Sequence, residues 1–216
     1  MRPLRNVARE FAASALGMFV SIGFVAMVVA WVASGTSRVC GVRDMFRANF
    51  APCRWDTQEL TYRDTLDFTG VADQDVARAR QGAYDALQAA CGIRFRLASD
   101  GEWANLVAEV TAMPTDVPSA LALASIPCGG GTGHAEWQRY NQDSYWDADR
   151  IYAASLHEIG HNLGLAHDED PLSMMHAVLN EKITGPGPTD IANLQSRYGK
   201  PGEPMPEYPP DPPPFQ

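Results

Sequence analysis

The stretch HEIGHNLGLAHD, residues 157–168, decides how this chain of 216 residues is interpreted. His157 and His161 are four residues apart, so on a helix both imidazoles project from one face, one turn apart. Two imidazoles in that arrangement can bind one Zn²⁺ ion. Gly164 can adopt the positive φ that ends a helix and turns the chain back. This turn would bring His167 to the same ion as a third ligand.

Glu158 lies beside the first histidine, where it can contact a water on the metal rather than the metal itself. Three neutral protein ligands leave one zinc position open, as a catalytic site requires. A purely structural site would need a fourth protein ligand, for which Cys40 is the obvious candidate. We therefore expect one zinc ion on His157, His161 and His167, with Glu158 as the general base that takes a proton from the zinc-activated water.

The motif resembles the signature of the metzincin clan of zinc peptidases, HExxHxxGxxH followed by a methionine turn. The segment SMMH, residues 173–176, follows at the right distance. Met175 is the better candidate for the turn and Met174 is the alternative, although two ordinary core methionines would also fit.

Within that clan the chain is similar to the matrixins. Trp55 followed by LTYR at 60–63 looks like their opening strand, and TDIANLQSRYG at 189–199 looks like their terminal helix. The resemblance covers residues 55–199. It implies a zinc metalloendopeptidase of the EC 3.4.24 type, acting on protein or peptide substrates. It also implies that the substrate lies extended along an edge strand, for which 119–126 is the candidate.

The sequence departs from the matrixin pattern in three respects. Asp168 follows the third histidine, where matrixins usually carry serine. Only His134 and His176 remain for the second, structural zinc of matrixins, so that site cannot form in its usual way. Calcium is unsupported, because three nearby acidic residues are better explained as a solvated turn and a helix start: Asp143, Asp147 and Asp149.

Cys40 raises the question of self-inhibition. Residues 40–44, CGVRD, resemble the matrixin cysteine switch, in which a propeptide thiolate occupies the open zinc position. The match is partial, because Arg43 replaces a proline and Val39 replaces an arginine. The alternative is a disulfide or a free thiol. The four cysteines, Cys40, Cys53, Cys91 and Cys128, allow three pairings, and the sequence does not choose between them.

An uncharged apolar run occupies residues 11–33, which is long enough for a helix that crosses a bilayer. Three arginines in residues 1–10 favour a cytoplasmic N-terminus, and we expect an uncleaved, single-pass signal anchor with the catalytic domain on the extracytoplasmic side. A long signal peptide cleaved near residues 33–35 is the alternative, and it would make the protein secreted. Residues 34–54 are then a connector.

The rest of the chain predicts an α+β domain with a mixed sheet. Alternating or apolar patterns indicate strands, and apolar residues at three- and four-residue spacing indicate helices. The strands are expected at 60–68, 93–97, 105–110, 119–126 and 135–141, and the helices at 72–90, 149–163 and from Thr189 or Asp190 to Gly199. Residues 200–216, rich in proline, are expected to be extended and unpacked.

The net charge of −9 and the pI near 4.9 exclude a general affinity for nucleic acid, because an acidic domain repels phosphate. Nothing in the sequence signals an oligomer. The competing function is a catalytically silent metzincin-like module that binds or scaffolds partners at a membrane, through residues 11–33 and the tail.

Overall fold

The computed structural model describes residues 54–127 and 135–207, and five strands in these ranges form one sheet. They are β1 (Glu59–Thr65), β2 (Arg94–Leu97), β3 (Leu106–Thr111), β4 (Ala122–Ala124) and β5 (Glu136–Asn141). Their order is β2-β1-β3-β5-β4. Neighbouring strands run parallel except β4, which is antiparallel to β5 at one edge. This mixed sheet is the one predicted.

Three helices in the described ranges complete the domain: α1 (Asp73–Ala90), α2 (Ala148–Asn162) and α3 (Pro188–Tyr198). The apolar face that the sequence predicts for α1 is buried at every position, namely Val76, Ala79, Ala83, Leu87 and Ala90. The Asp147 carboxylate caps α2 by accepting a hydrogen bond from the Arg150 backbone N–H at 2.9 Å. That role agrees with the predicted helix start.

The larger core cluster joins all three helices to β1 and β3, and it positions α2. Leu60 and Leu106 reach it from the sheet, and Leu156 and Ile159 reach it from α2. Trp55 packs into the same cluster and donates its indole N–H to the Asn162 carbonyl at 2.8 Å. That bond satisfies a carbonyl that the end of α2 leaves without a helical partner.

Three predicted boundaries are corrected by the structure. The strand expected at 60–68 ends at Thr65, and the strand expected at 119–126 is only Ala122–Ala124. The Leu121 carbonyl still accepts the Asn141 backbone N–H at 2.9 Å, but the Ala120 carbonyl accepts from the Asn141 side chain at 2.8 Å instead of from the strand.

The third correction concerns the start of α3. Gly187 is the N-cap, in place of Thr189 or Asp190, and Pro188 is the first helical residue. Proline suits that position because it has no N–H to satisfy. The Asp190 carboxylate folds back and accepts the Gly187 N–H at 2.8 Å.

The beginning of the Pro-rich tail is packed, contrary to the prediction for 200–216. Arg54 donates to the Pro206 carbonyl at 3.0 Å, and Gln58 donates to the Glu203 carbonyl at 2.9 Å. Met205 packs against the larger core cluster. Proline carbonyls still accept hydrogen bonds, so a Pro-rich segment can bind to a surface that supplies side-chain donors. Residues 208–216 lie outside the described ranges.

The predicted membrane helix at 11–33 also lies outside the described residues, as do residues 1–10 and most of the connector. Among the helices that the structure does describe, none is long and apolar enough to cross a bilayer.

Candidate metal centre

Helix α2 carries the first two histidines of the motif on one buried face. Both side chains are largely shielded from solvent, and their Nε2 atoms are 3.1 Å apart. The four-residue spacing therefore produces the geometry that it predicts, with one ring above the other along the helix.

Gly164 turns the chain so that the third histidine joins them. Its φ of 83° lies in the left-handed region, where a side chain would be strained. The Gly164 N–H donates to the His161 carbonyl at 2.8 Å, and the Leu165 N–H donates to the Gly160 carbonyl at 3.0 Å. These two bonds form a Schellman motif that closes α2. His167 then places its Nε2 3.3 Å from that of His157 and 3.2 Å from that of His161.

Two backbone carbonyls fix the orientation of the buried rings. His157 Nδ1 lies 2.8 Å from the Met174 carbonyl, and His161 Nδ1 lies 2.8 Å from the Leu165 carbonyl. Because a carbonyl only accepts, each Nδ1 carries the proton and each Nε2 keeps its lone pair. The Schellman turn supplies one of these carbonyls, so the element that delivers His167 also orients His161.

Burial keeps the three imidazoles neutral. Desolvation lowers the pKa of His157 to about 4 and that of His161 to about 3. Desolvation, and then the charge of His176, lower the pKa of the more exposed His167. Three uncharged rings therefore direct lone pairs at one point near neutral pH.

This arrangement fits a zinc ion. A tetrahedral Zn²⁺ with bonds of about 2.0–2.1 Å holds its nitrogen ligands roughly 3.3–3.4 Å apart, close to the separations here. His157, His161 and His167 are the one group of potential ligand side chains that converges in this way among the described residues. No residue in the described ranges supplies a fourth ligand.

Glu158 follows His157 directly and is buried, and its carboxylate oxygen Oε2 has no hydrogen-bond partner among the described residues. Burial raises the pKa of Glu158 to about 8, and the charge of Arg80 opposes this shift. A buried carboxylate oxygen without a partner is costly, so its presence beside a metal centre indicates a group kept free for a ligand.

A cavity of about 300 Å³ opens over these residues. One wall is the segment from Ala120 to Ala124, which includes edge strand β4. The opposite wall is α2 with the metal centre, and Ala177 and Leu179 line the cavity beyond it. Val178, between those two, does not line the cavity and is largely exposed.

Both methionines of the predicted turn are buried under α2, and they do different things. Met174 supplies the carbonyl that orients His157. Met175 packs its sulfur against Gly160 so closely that a Cβ at that position would overlap the Sδ atom. The glycine between the metal-binding histidines is therefore a packing requirement, which the sequence analysis did not recognise.

Asp190 is the second residue that the sequence analysis missed, having considered it only as a helix cap. Its buried carboxylate accepts the Ser173 hydroxyl at 2.6 Å and the Met174 N–H at 2.9 Å. It therefore fixes the methionine turn to the start of α3. An acidic residue just after a Gly-Pro turn was the available signal.

Several predicted residues lie outside the described ranges, and their contacts are not described: Cys40, Cys53, Cys128 and His134. Cys91 is a free, buried thiol that donates to the Leu87 carbonyl at 3.5 Å, and burial raises its pKa to about 11.

The site has two metal-binding histidines on one helix, a third after a glycine turn and a carboxylate beside them. This arrangement is typical of metal-dependent hydrolases. Residues 54–199 match the family model described as Peptidase M10, Matrixin. The chain therefore belongs to the matrixin family. Matrixins use a catalytic zinc ion, and the His157, His161 and His167 triad of this chain is able to bind one.

Curated relatives agree with this assignment. The chain is 29% identical to an interstitial collagenase of Sus scrofa over 77% of its own length and 38% of the relative. It is 25% identical to a macrophage metalloelastase of Oryctolagus cuniculus, over 81% of this chain and 40% of that one. It is 27% identical to a neutrophil collagenase of Homo sapiens, over 77% and 38%. The chain thus spans about two fifths of the length of these relatives.

Proposed function

We propose that this chain is a zinc-dependent metalloendopeptidase that hydrolyses peptide bonds in proteins, with Glu158 as its general base. The observation that carries the proposal is Glu158, which lines one cavity with the three converging histidines and whose Oε2 has no hydrogen-bond partner within the described part of the chain. The family membership supports it.

When bound, zinc supplies Lewis acidity, which polarises the scissile carbonyl and acidifies the attacking water. The chain's own residues do the rest. Glu158 accepts the proton of that water and passes it to the departing amine. The Met174 and Leu165 carbonyls hold the rings of His157 and His161 in one tautomer and one orientation.

The substrate is proposed to lie extended along β4, which is the last strand of the sheet and pairs with β5 on one side. An extended peptide can add to such an edge through backbone hydrogen bonds. Ala122 and Ala124 of β4 line this wall of the cavity together with Leu123 between them, so a peptide added there would lie within the cavity. Ala177 and Leu179 would then contact substrate side chains beyond the metal centre.

For the protein as a whole we infer a single-pass anchor at residues 11–33 and an extracytoplasmic catalytic domain. This inference rests on the uncharged apolar run alone. Fractionation of cells that express the full chain tests it, because an anchored protein stays with membranes after alkaline carbonate washing and a cleaved one does not.

The test of the activity compares the full chain with Glu158→Gln on casein and gelatin, with zinc measured on both proteins. The glutamine keeps the size of the side chain and removes its basicity. We expect the variant to keep about one equivalent of zinc and to lose about 10³-fold or more in turnover. Glu169→Gln, an exposed change near the same motif, is the matched control and should behave as wild type.

Zinc binding with no cleavage by the wild-type protein would favour the silent binding module over the peptidase. Loss of zinc from the wild-type protein would reject the metal centre itself.

A further inference from the structure

A chain of buried side-chain hydrogen bonds runs from α1 through the sheet to the end of α2. Arg80 Nη1 donates to Gln138 Oε1 at 2.8 Å, and Gln138 Nε2 donates to Asn162 Oδ1 at 2.6 Å. Asn162 Nδ2 then donates to the Ser125 carbonyl at 2.8 Å and to the Trp137 carbonyl at 3.3 Å. We call Arg80, Gln138 and Asn162 the amide relay.

The direction of the amide relay is set by Arg80, which can only donate. All five of its guanidinium N–H groups are used: two on the Asp64 carboxylate, and one each on Gln138, Tyr140 and Tyr84. A side-chain amide that faces such a donor must present its oxygen. The Tyr140 hydroxyl reinforces this choice by donating to the same Gln138 oxygen at 2.9 Å.

The other end of the amide relay requires the same orientation of the two side-chain amides. The Ser125 and Trp137 carbonyls only accept, so Asn162 must present its NH₂ group to them. Because the Gln138 oxygen faces Arg80, the Gln138 NH₂ group faces Asn162. Asn162 therefore presents its oxygen to Gln138. One orientation of each amide satisfies every partner, and flipping either amide leaves donors facing donors or oxygens facing oxygens.

The last bond of the amide relay connects the two walls of the cavity. Asn162 follows His161 directly on α2, and Ser125 follows directly after β4. β4 has only three residues and one neighbouring strand, so its ladder alone holds it weakly. The Asn162–Ser125 bond therefore ties the edge strand to the helix that carries the metal-binding histidines.

We propose that Asn162, oriented by Arg80 through Gln138, is a positioning residue that fixes β4 relative to the metal-binding histidines and so aligns an extended substrate with them. Its effect on catalysis rests on the proposed peptidase function. Its effect on β4 is a property of the folded chain and can be measured without any substrate.

Gln138→Glu tests the proposal most directly. The glutamate keeps the shape of glutamine and pairs with Arg80, but it has no N–H for Asn162. The Asn162 amide must then turn its NH₂ toward the glutamate and its oxygen toward the Ser125 and Trp137 carbonyls. We expect backbone amides of residues 122–125 to exchange with deuterium about tenfold faster or more, while those of α2 stay as in wild type.

Gln88→Glu is the matched control, because it adds the same charge on α1, where the side-chain oxygen accepts only the Phe95 N–H at 2.6 Å. A carboxylate can accept that bond equally well, so exchange at residues 122–125 should not change. Asn162→Ala is the second variant, which removes the bond to Ser125 without adding a charge, and it decides the question if Gln138→Glu does not fold.

Steady-state kinetics on a peptide substrate give the second readout. Because the histidines and Glu158 do not move, we expect KM to rise about tenfold with kcat within about twofold of wild type. Unchanged exchange at residues 122–125 in a folded variant, or faster exchange spread evenly over the sheet, would overturn the proposal. If the wild-type protein cleaves nothing, the peptidase function fails while the exchange result still decides the role of Asn162.

Discussion

The metal centre and the Arg80 cluster differ in how completely their buried polar atoms are hydrogen-bonded. The Arg80 cluster consists of Arg80 and its acceptors Asp64, Gln138, Tyr140 and Tyr84. Around Arg80 every guanidinium N–H has an acceptor, and the cation pairs with the Asp64 carboxylate through two bonds of 2.9 Å. At the metal centre three imidazole nitrogens converge, and none of the residues that the structure describes is a hydrogen-bond partner of Glu158 Oε2.

The difference separates what holds the fold from what binds a ligand. A saturated buried network restricts the structure to one arrangement, because any change leaves a polar group without a partner. An unsaturated network has polar atoms left for a ligand, and binding of that ligand stabilises it. At this site the ligands are a metal ion and the proposed substrate. Arg80 lies on α1 and is linked through Gln138 to Asn162 at the end of α2, so the saturated cluster can support the helix that carries the metal-binding histidines.

The largest effect should come from breaking the unsaturated region. His161→Ala removes one of three ligands, and we expect the protein to lose its zinc and at least about 10³-fold of its peptidase turnover. Metal analysis after dialysis and a casein assay measure the two effects. His176→Ala changes a histidine that lines the same cavity outside the triad, and it should keep its zinc. Retention of a full equivalent of zinc by His161→Ala would contradict the assignment.

A smaller effect should follow from breaking the saturated region. Arg80→Met removes both bonds to the Asp64 carboxylate and leaves the Gln138 oxygen with the Tyr140 hydroxyl alone, and we expect about 3 kcal/mol less free energy of unfolding in urea. Arg78→Met removes an arginine from the same helix whose ion pair with Asp75 is exposed, and it should cost at most about 0.5 kcal/mol. Similar losses for the two variants would show that the buried cluster does not hold the fold.

The smallest effect concerns the packing of the methionine turn against the helix that carries the metal-binding histidines. Gly160→Ala places a methyl group against the Met175 sulfur, and we expect about 1–2 kcal/mol of destabilisation, seen as a lower Tm. Gly185→Ala is the control, because a Cβ there meets nothing within 4 Å. A Tm for Gly160→Ala equal to that of the control would mean that Met175 moves aside without cost.

The sequence predicts most of the fold because its periodic signals are strong. The buried face of α1 and the Gly199 end of α3 are as expected, and the mixed sheet is confirmed. The errors lie where side chains replace the regular ladder. The Asn141 side chain binds the Ala120 carbonyl just before β4. The Asp190 side chain binds the Gly187 N–H, so the N-cap of α3 lies two residues before the predicted Thr189. Periodicity carries no information about such bonds.

The site shows the same division. The motif predicts which histidines meet, because the four-residue spacing of His157 and His161 is helical geometry and Gly164 marks the turn that brings in His167. The contact of Gly160 with Met175, the bonds from Asp190 to the methionine turn and the amide relay could not be predicted from spacing, because each depends on residues that are distant in the sequence. Arg80 in particular appears as a charge on an amphipathic helix, and only its three-dimensional neighbours show that it is buried. The catalytic role of Glu158 remains a prediction.

The bond from Arg54 to the Pro206 carbonyl places the two ends of the described domain one side chain apart. A short peptide link between these ends would therefore close the backbone into a ring without distorting the fold. Cyclisation removes conformations from the unfolded chain alone, and for a ring of this size the entropic gain is about 5 kcal/mol. The packed start of the tail makes this domain a candidate for head-to-tail ligation.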